Sequence, residues 1–290
     1  MKKALFIINP VSGSGRGKDI KEILTNLLYN SDIDAKFIES VSKGHASKIT
    51  KDHRESDLDI IVACGGDGTV NEVASALLHS NKTMGILPIG SGNGLARHYG
   101  IKTEPASVIE TIRAGRVVGH DAVIINGLPG FNVSGIGFDA HVAHLFGKDG
   151  KRGFNSYLRL IAREFSAYKT FKVRLTNESH EYESEAIMIP IAVASQFGNN
   201  AFIAPQADTN DGKTDITVVK KMHPLMVIPF ALRVFTKTIA GSRFAKAFQS
   251  GDFLLRCESP QPLHIDGEPG GYHESFEIKS AKSAIQLAIP

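Results

Sequence analysis

The segment Cys64-Gly65-Gly66-Asp67-Gly68-Thr69-Val70-Asn71-Glu72 carries the densest chemistry in this chain. Glycines let a backbone approach a ligand with no Cβ in the way. A strand-to-helix turn also aims several N–H groups and the positive end of a helix at one point. An acid in such a turn repels a bare phosphate, so Asp67 implies a bridging divalent cation such as Mg²⁺. The chemistry is then phosphate plus metal, which means nucleotide handling. A plainer reading of the same residues makes Thr69 a helix N-cap and Glu72 the closing member of a capping box.

Two further segments have this character. Asn9-Pro10-Val11-Ser12-Gly13-Ser14-Gly15-Arg16-Gly17-Lys18 can cradle phosphate with Ser12, Gly13 and backbone amides, aided by Arg16 or Lys18. It is not a Walker A loop, because Ser12 stands where the first glycine belongs and Asp19 follows Lys18. Nor is it a dinucleotide fingerprint, whose third glycine position is Lys18. Leu87-Pro88-Ile89-Gly90-Ser91-Gly92-Asn93-Gly94-Leu95-Ala96-Arg97 offers the side chains of Ser91 and Asn93. A fourth segment, Leu263-His264-Ile265-Asp266-Gly267-Glu268-Pro269, places two carboxylates at a turn. A hydroxyl attacking a phosphoryl group benefits from a carboxylate that orients it and takes its proton.

The elements that must position these turns follow from hydrophobic periodicity. Strands are expected at Ala4–Ile8, Ala35–Glu39, Asp59–Ala63 and Met84–Leu87. Helices are expected at Asp19–Leu28, Ala46–His53, from Val70 onward, near Gly94–Tyr99 and at Ser107–Ala114. Such alternation argues for a parallel sheet flanked by helices, with ligands at the carboxyl ends of strands, where all three glycine turns fall.

Beyond Gly115 the pattern changes to short strands, at Val117–Asn126, Phe131–Gly137, Phe171–Thr176, Ala186–Ser195, Asp215–Val219, Phe253–Cys257, Leu263–Asp266, Phe276–Ile278 and Ile285–Ala288. Two helices interrupt them, Asn155–Tyr168 and Leu225–Ala247. The expectation is an α/β domain over residues 1–119 and a mainly antiparallel, sandwich-like β domain over 120–290, with the tail near 285–290 returning to the first.

Composition bounds the partners. The 290 residues are 42% hydrophobic and 22% charged, as in an ordinary globular protein, and the net charge of +3 is too small to argue for nucleic acid. Cys64 and Cys257 lie far apart in sequence and read as reduced thiols. The apolar run Ala4–Ile8 is too short for a signal h-region, and Leu225–Phe235 is too short to span a bilayer. A cytoplasmic protein, peripheral at most to the inner membrane face, is expected.

Taken together these motifs resemble the diacylglycerol kinase catalytic family, which includes bacterial soluble lipid kinases and the sphingosine and ceramide kinases. The resemblance runs in order through Asn9-Pro10-x-Ser12-Gly13, Gly65-Gly66-Asp67-Gly68-Thr69 with Asn71-Glu72, and Pro88-x-Gly90-Ser91-Gly92-Asn93. It continues through Asn132–Ala140, Ala204-Pro205 to Asp211-Gly212, and Asp266-Gly267-Glu268. It implies an NAD-kinase/phosphofructokinase-like α/β domain, a β-rich substrate domain, and ATP-dependent phosphorylation of a lipid hydroxyl in the cleft between them, as in phospholipid metabolism.

By motif, ATP would contact Asn9, Pro10, Ser12, Gly13, Gly65, Gly66, Asp67, Gly68, Thr69, Asn71 and Ser91, with Ser40 reaching it through its hydroxyl. Asp67 would hold the catalytic Mg²⁺ and Glu268 would be the general base, with Asp266 as the competing or supporting carboxylate. In some bacterial relatives the loop matching Asp208, Asp211 and Lys213 binds a structural Mg²⁺, the outer two through peptide carbonyls. Ser91 stands for the Thr of many bacterial members and Gly94-Leu95-Ala96 for Asp-Phe-Ala, so diacylglycerol-like and sphingoid acceptors both stay open.

Between Asp215 and Asp252 there is no acid, while Lys220, Lys221, Arg233, Lys237, Arg243 and Lys246 alternate with apolar residues. Such a stretch suits an anionic bilayer surface where a lipid substrate is reached, or a helix packed on the β domain with a solvated basic edge. A homodimer is compatible with the sequence. His141 and His144 lack a third ligand for a metal, and His98, His120 and His264 read as packing or hydrogen-bonding groups. The competing functions are an NAD kinase-like or sugar kinase activity, which shares the Gly-Gly-Asp-Gly turn, and an ATP-binding regulator without turnover.

Overall fold

The computed structural model describes residues 1–145, 154–179 and 181–290. They divide into two compact units, Met1–His120 with Ser283–Pro290, and Asp121–Lys282.

The first unit begins with β1 (Lys2–Ile8), α1 (Gly17–Leu28), β2 (Ile33–Glu39), α2 (His45–His53) and β3 (Ile60–Gly65). It continues with α3 (Asp67–Ala76), β4 (Thr83–Pro88), α4 (Gly94–His98) and α5 (Pro105–Ala114). All strand pairs are parallel, in the order β2-β1-β3-β4, and residues Gln286 and Leu287 of the chain's last strand add a fifth parallel partner beside β4. Residues 4–8 of β1 and all of β3 are buried, as continuous apolar runs in a covered parallel sheet must be. Ile20, Leu24 and Leu28 of α1 and Val108, Ile109 and Ile112 of α5 recur at helical spacing and complete that core. The strand order reverses between β1 and β3, so the turns leaving those two strands flank the switch point where ligands bind in open α/β sheets.

The second unit is mainly antiparallel. β5 (Val117–Ile125) enters it, followed by β6 (Leu128–Gly130), β7 (Val133–Gly137), α6 (Phe138–Leu145), α7 (Phe154–Phe165), β8 (Phe171–Thr176), β9 (Glu181–Ala186) and β10 (Met188–Ala192). Then come β11 (Thr214–Val219), α8 (Val227–Phe235), β12 (Ala245–Ser250), β13 (Asp252–Ile265) and β14 (Glu268–Ala288). The hydrogen-bonded order is β12-β11-β10-β7-β13-β14, with β8 and β9 attached to the first half of β13. β13 pairs with β8 over 254–257 and with β7 over 263–264, and its register against β14 shifts between Arg256 and Gln261. Such irregular strands let one chain segment serve two layers of a sandwich. The core between them is apolar, with Val173, Leu175, Ile189, Ile216, Leu255 and Phe276 all at or near zero exposure.

Three expectations are corrected. The helix over Leu225–Ala247 ends at Phe235, where Lys237 takes a left-handed φ of 61°, and residues 245–250 are strand β12. Phe253–Cys257 with Leu263–Asp266, and Phe276–Ile278 with Ile285–Ala288, are two long strands rather than four short ones. Finally, α3 starts at Asp67 with Gly66 as N-cap and no side-chain cap, so Thr69 and Glu72 form no capping box.

Candidate active site

The first unit draws its three glycine turns together through side chain–backbone bonds. Asn9 leaves β1, donates from Nδ2 to Thr69 Oγ1 at 3.0 Å, and accepts at Oδ1 from the Val11 amide at 3.2 Å. One asparagine thus shapes its own turn and fastens it to α3. Asp67 opens α3 and accepts from two backbone amides of the third turn, Asn93 N to Oδ2 and Gly94 N to Oδ1, each at 2.8 Å. That carboxylate sits at the start of α4, where a negative charge is favoured. Backbone bonds add to the fastening: Gly65 O accepts from Ile89 N at 2.8 Å, and Ile8 O accepts from Ser40 N at 2.8 Å.

Close approach explains two of these glycines directly. A Cβ on Gly90 would lie 2.6 Å from the Gly66 Cα, so the second and third turns touch backbone to backbone. Gly13, at φ +63°, approaches the third turn in the same way, with a Cβ there only 2.3 Å from the Ile89 carbonyl oxygen.

Asn9, Pro10, Ser12, Gly13, Ser40, Gly65, Gly66, Asp67, Gly68, Thr69, Asn71, Ser91 and Asn93 all belong to this unit. Ser91 is exposed, Thr69 and Ser40 are buried, and Gly66, Asp67, Gly68 and Asn71 are half-buried. Asn93 adopts a left-handed φ of 52° and donates from Nδ2 to Gly90 O at 2.7 Å, while its buried Oδ1 has no hydrogen-bond partner. Arg16 donates to Gly13 O at 3.3 Å and to Ile89 O at 3.4 Å, and Arg97 donates to Gly92 O at 2.9 Å. Both guanidiniums thus brace the turns that sequence reading assigned to phosphate. Glu72 has a role no local pattern announces: its two oxygens accept from Gly44 N at 2.7 Å and Ala46 N at 3.1 Å, capping α2.

In the second unit the turn from β13 to β14 carries both candidate carboxylates, in very different settings. Asp266, at φ 49°, accepts from Phe131 N at 2.8 Å and Asn132 N at 3.0 Å, and its own amide donates to Ser134 Oγ at 3.3 Å. Glu268 is exposed. Behind the turn, His264 Nδ1 accepts from Gly267 N at 3.0 Å, which leaves the imidazole proton on Nε2 facing Asp139 Oδ2 at 3.4 Å. His264 and Asp139 are only 3% and 7% exposed, so this pair is an internal support for the turn. Asp139 can lie there because a Cβ on Gly135 would be 2.0 Å from its Oδ2.

The loop with Asp208, Asp211 and Lys213 uses its acids to close turns. Asp208 Oδ1 accepts from Asn210 N at 2.9 Å, and Asp211 accepts from Lys213 N at 2.8 Å and Gln249 Nε2 at 3.2 Å. Buried Asp121 accepts from Gly212 N at 2.7 Å. His141 pairs with Glu164 at 3.0 Å, which holds that carboxyl below its usual range with help from Arg163, and His144 bonds Leu263 O at 2.8 Å. Among the described residues no group of three or more His, Cys, Asp or Glu side chains is disposed to hold a metal ion. Any divalent cation would therefore rest on single carboxylates and on its ligand's own oxygens, as Mg²⁺ on nucleotide phosphates does.

The profile of the diacylglycerol kinase catalytic domain matches residues 3–125, and that of the YegS C-terminal NAD kinase beta sandwich-like domain matches residues 132–283. The chain belongs to the diacylglycerol kinase catalytic family. It is 29% identical over 292 residues to a "probable lipid kinase YegS-like" protein of Klebsiella pneumoniae, covering 99% of this chain and 96% of that one. It is 24% identical over 280 residues to a diacylglycerol kinase of Bacillus subtilis, covering 93% and 91%. A solved diacylglycerol kinase structure from Bacillus anthracis shares the fold, with a TM-score of 0.79 at 22% identity over 100% of this chain and 97% of that one. As a member of this family the chain is a lipid kinase, a phosphotransferase whose acceptor is an alcohol.

Proposed function

We propose that the chain transfers the γ-phosphoryl group of ATP, with Mg²⁺, to the hydroxyl of a diacylglycerol-like or sphingoid lipid. The observation that carries this reading is the Asp67 carboxylate accepting from Asn93 N and Gly94 N, because it fixes the second and third turns as one rigid backbone surface. Phosphoryl transfer asks the protein mainly for positioning and charge stabilisation, which such a surface supplies.

ATP fits the turns through the groups they leave open to solvent: Ser91 is exposed, and Gly66, Asp67, Gly68 and Asn71 are half-buried. Mg²⁺ fits Asp67, a half-buried carboxylate held at the start of α3 and oriented by Asn93 N and Gly94 N. When bound it would neutralise phosphate charge. In this reading Asn9, Thr69 and Asp67 hold the nucleotide turns in place.

Glu268 takes the proton as the lipid oxygen bonds to phosphorus and the bond to the β-phosphate oxygen breaks. Asp266, already bonded to two amides, orients the turn that presents Glu268. Incubation with labelled ATP and single lipids in mixed micelles, with and without Mg²⁺, tests this reading. Labelled lipid that disappears in EDTA is expected, and metal-independent labelling would remove the Mg²⁺ assignment.

A further inference from the structure

Helix α8 is apolar on opposite sides. Its inner side packs into the second unit: Phe230 is buried beside Ile239 and Met222, with Met226, Val227 and Val234 against the same cluster. Its outer side, continued by Leu225 in the turn just before the helix, faces solvent. Leu225, Ile228, Leu232 and Phe235 are 78, 72, 59 and 39% exposed. Their spacing of three, four and three residues puts them on one helical face. A contiguous stripe of large apolar side chains in water marks an interaction surface.

The charge around the stripe names the partner. No acid occurs from Ile216 to Gly251, and Lys220, Lys221, Arg233, Lys237, Arg243 and Lys246 are all exposed. Arg233 and Arg243 line a cavity of about 210 Å³ beside the helix, floored by Met226, Phe230 and Phe244. Arg243 lies over the Phe244 ring at 4.9 Å, and Lys237 lies over Phe202 at 4.3 Å, so cations and apolar groups are interleaved rather than segregated. A second copy docking by this face would set like charge against like across a two-fold axis. An anionic bilayer instead offers phosphates to the cations and acyl chains to the stripe.

We propose that this face docks the protein on an anionic bilayer, with Leu225, Ile228 and Leu232 entering the headgroup–acyl boundary and Arg233 and Arg243 meeting lipid phosphates. The choice of a bilayer as occupant rests on the lipid kinase reading, and vesicle binding without ATP tests it separately from catalysis.

The chain has no tryptophan, so Leu232→Trp installs a single reporter on the proposed face. On phosphatidylglycerol/phosphatidylcholine vesicles its emission is expected to shift to the blue, with a smaller effect on pure phosphatidylcholine and a decline with salt. Inorganic phosphate should not reproduce the shift. Binding without a shift means that the protein docks elsewhere, and a shift with phosphate alone means a free-anion site. Either result overturns the proposal.

Arg233→Ala with Arg243→Ala should lower vesicle partitioning about fivefold per cation removed. Ile228→Glu with Leu232→Glu should abolish it while transfer to a dispersed short-chain diacylglycerol persists. Unchanged binding by both variants, or a wild-type dimer that the glutamate variant dissociates, also overturns it. Loss of transfer to every lipid with vesicle binding intact would instead count against the kinase reading alone.

Discussion

Asp67 is the residue whose replacement says most. Its carboxylate accepts from Asn93 N and Gly94 N at 2.8 Å each. Hydrogen bonds to a charged partner contribute ~1.5–3 kcal/mol each, and the half-buried setting places these at the low end. Asp67→Ala should therefore cost about 3 kcal/mol in the absence of any metal. For a protein of this size that is a fall of roughly 5 °C in melting temperature. Asp67→Asn keeps one acceptor but turns an NH₂ toward the other amide, so about 2 kcal/mol is expected. Gly92→Ala keeps the acid and disturbs it sterically, since a Cβ there would lie 2.8 Å from Asp67 Oδ2. Urea unfolding in EDTA, followed by far-UV circular dichroism, measures the first term. Transfer from ATP in Mg²⁺ measures the second, and Asp67→Ala is expected to abolish it with the fold retained. Unchanged stability in EDTA for Asp67→Ala would refute the brace, and wild-type-like turnover would refute the metal role.

Other changes separate roles that proximity in sequence confuses. Glu268→Gln should lower turnover by about 10²–10⁴ with little effect on stability, whereas Asp266→Ala should destabilise by about 3 kcal/mol through its two amide bonds; the reverse outcome would make Asp266 the base. Burial, with the charge of Asp211 added, pushes the Asp215 carboxyl up from 3.8 to about 6 against the pull of Gln249 and Lys213. The unfolded chain ionises first, so this group sheds stability as pH rises from about 4 to about 6 and the loss is complete above that. Asp215→Asn in EDTA should be the more stable protein at pH 7.5 and equal to wild type near pH 4, and a less stable variant at pH 7.5 would reverse that sign. Both thiols are buried, Cys257 pushed up to about 12 and Cys64 higher still. Neither should react with Ellman's reagent at pH 8 until urea is added, because thiolate is the reactive form; a fast-reacting native thiol would contradict the burial.

The parallel half was legible because its signals are local. A buried apolar run, a glycine turn and a helical repeat sit side by side three times, and β1, β3 and β4 with their turns follow. The antiparallel half hides its longest strands. Pro260 and Pro262 interrupt β13 where its register shifts, and the polar stretch Lys279-Ser280-Ala281-Lys282-Ser283, with Ser283 at a left-handed φ of 48°, interrupts the apolar pattern of β14, so each strand reads as two pieces. β9 escaped because Glu181, Glu183 and Glu185 face water on an edge strand, where Arg174 meets the first two. The overlong α8 came from an apolar stretch whose stop signal, a left-handed Lys237, has no residue-type signature. At the site, residue types were legible and their partners were not. Asp67 bonds residues 26 and 27 positions away, Glu72 caps a helix 26 to 28 positions earlier, and the Asp139–His264 pair spans 125. Such bonds depend on which strands become neighbours, and only the fold supplies that.

The central claim is best tested by incubating the purified protein with labelled ATP, Mg²⁺ and mixed micelles of diacylglycerol, monoacylglycerol, phosphatidylglycerol, sphingosine or ceramide, beside NAD as a soluble acceptor. The account predicts label on a lipid, accumulating about a hundredfold or more slowly with Glu268→Gln. Label on NAD, or none on any lipid while ATP is bound, would contradict it.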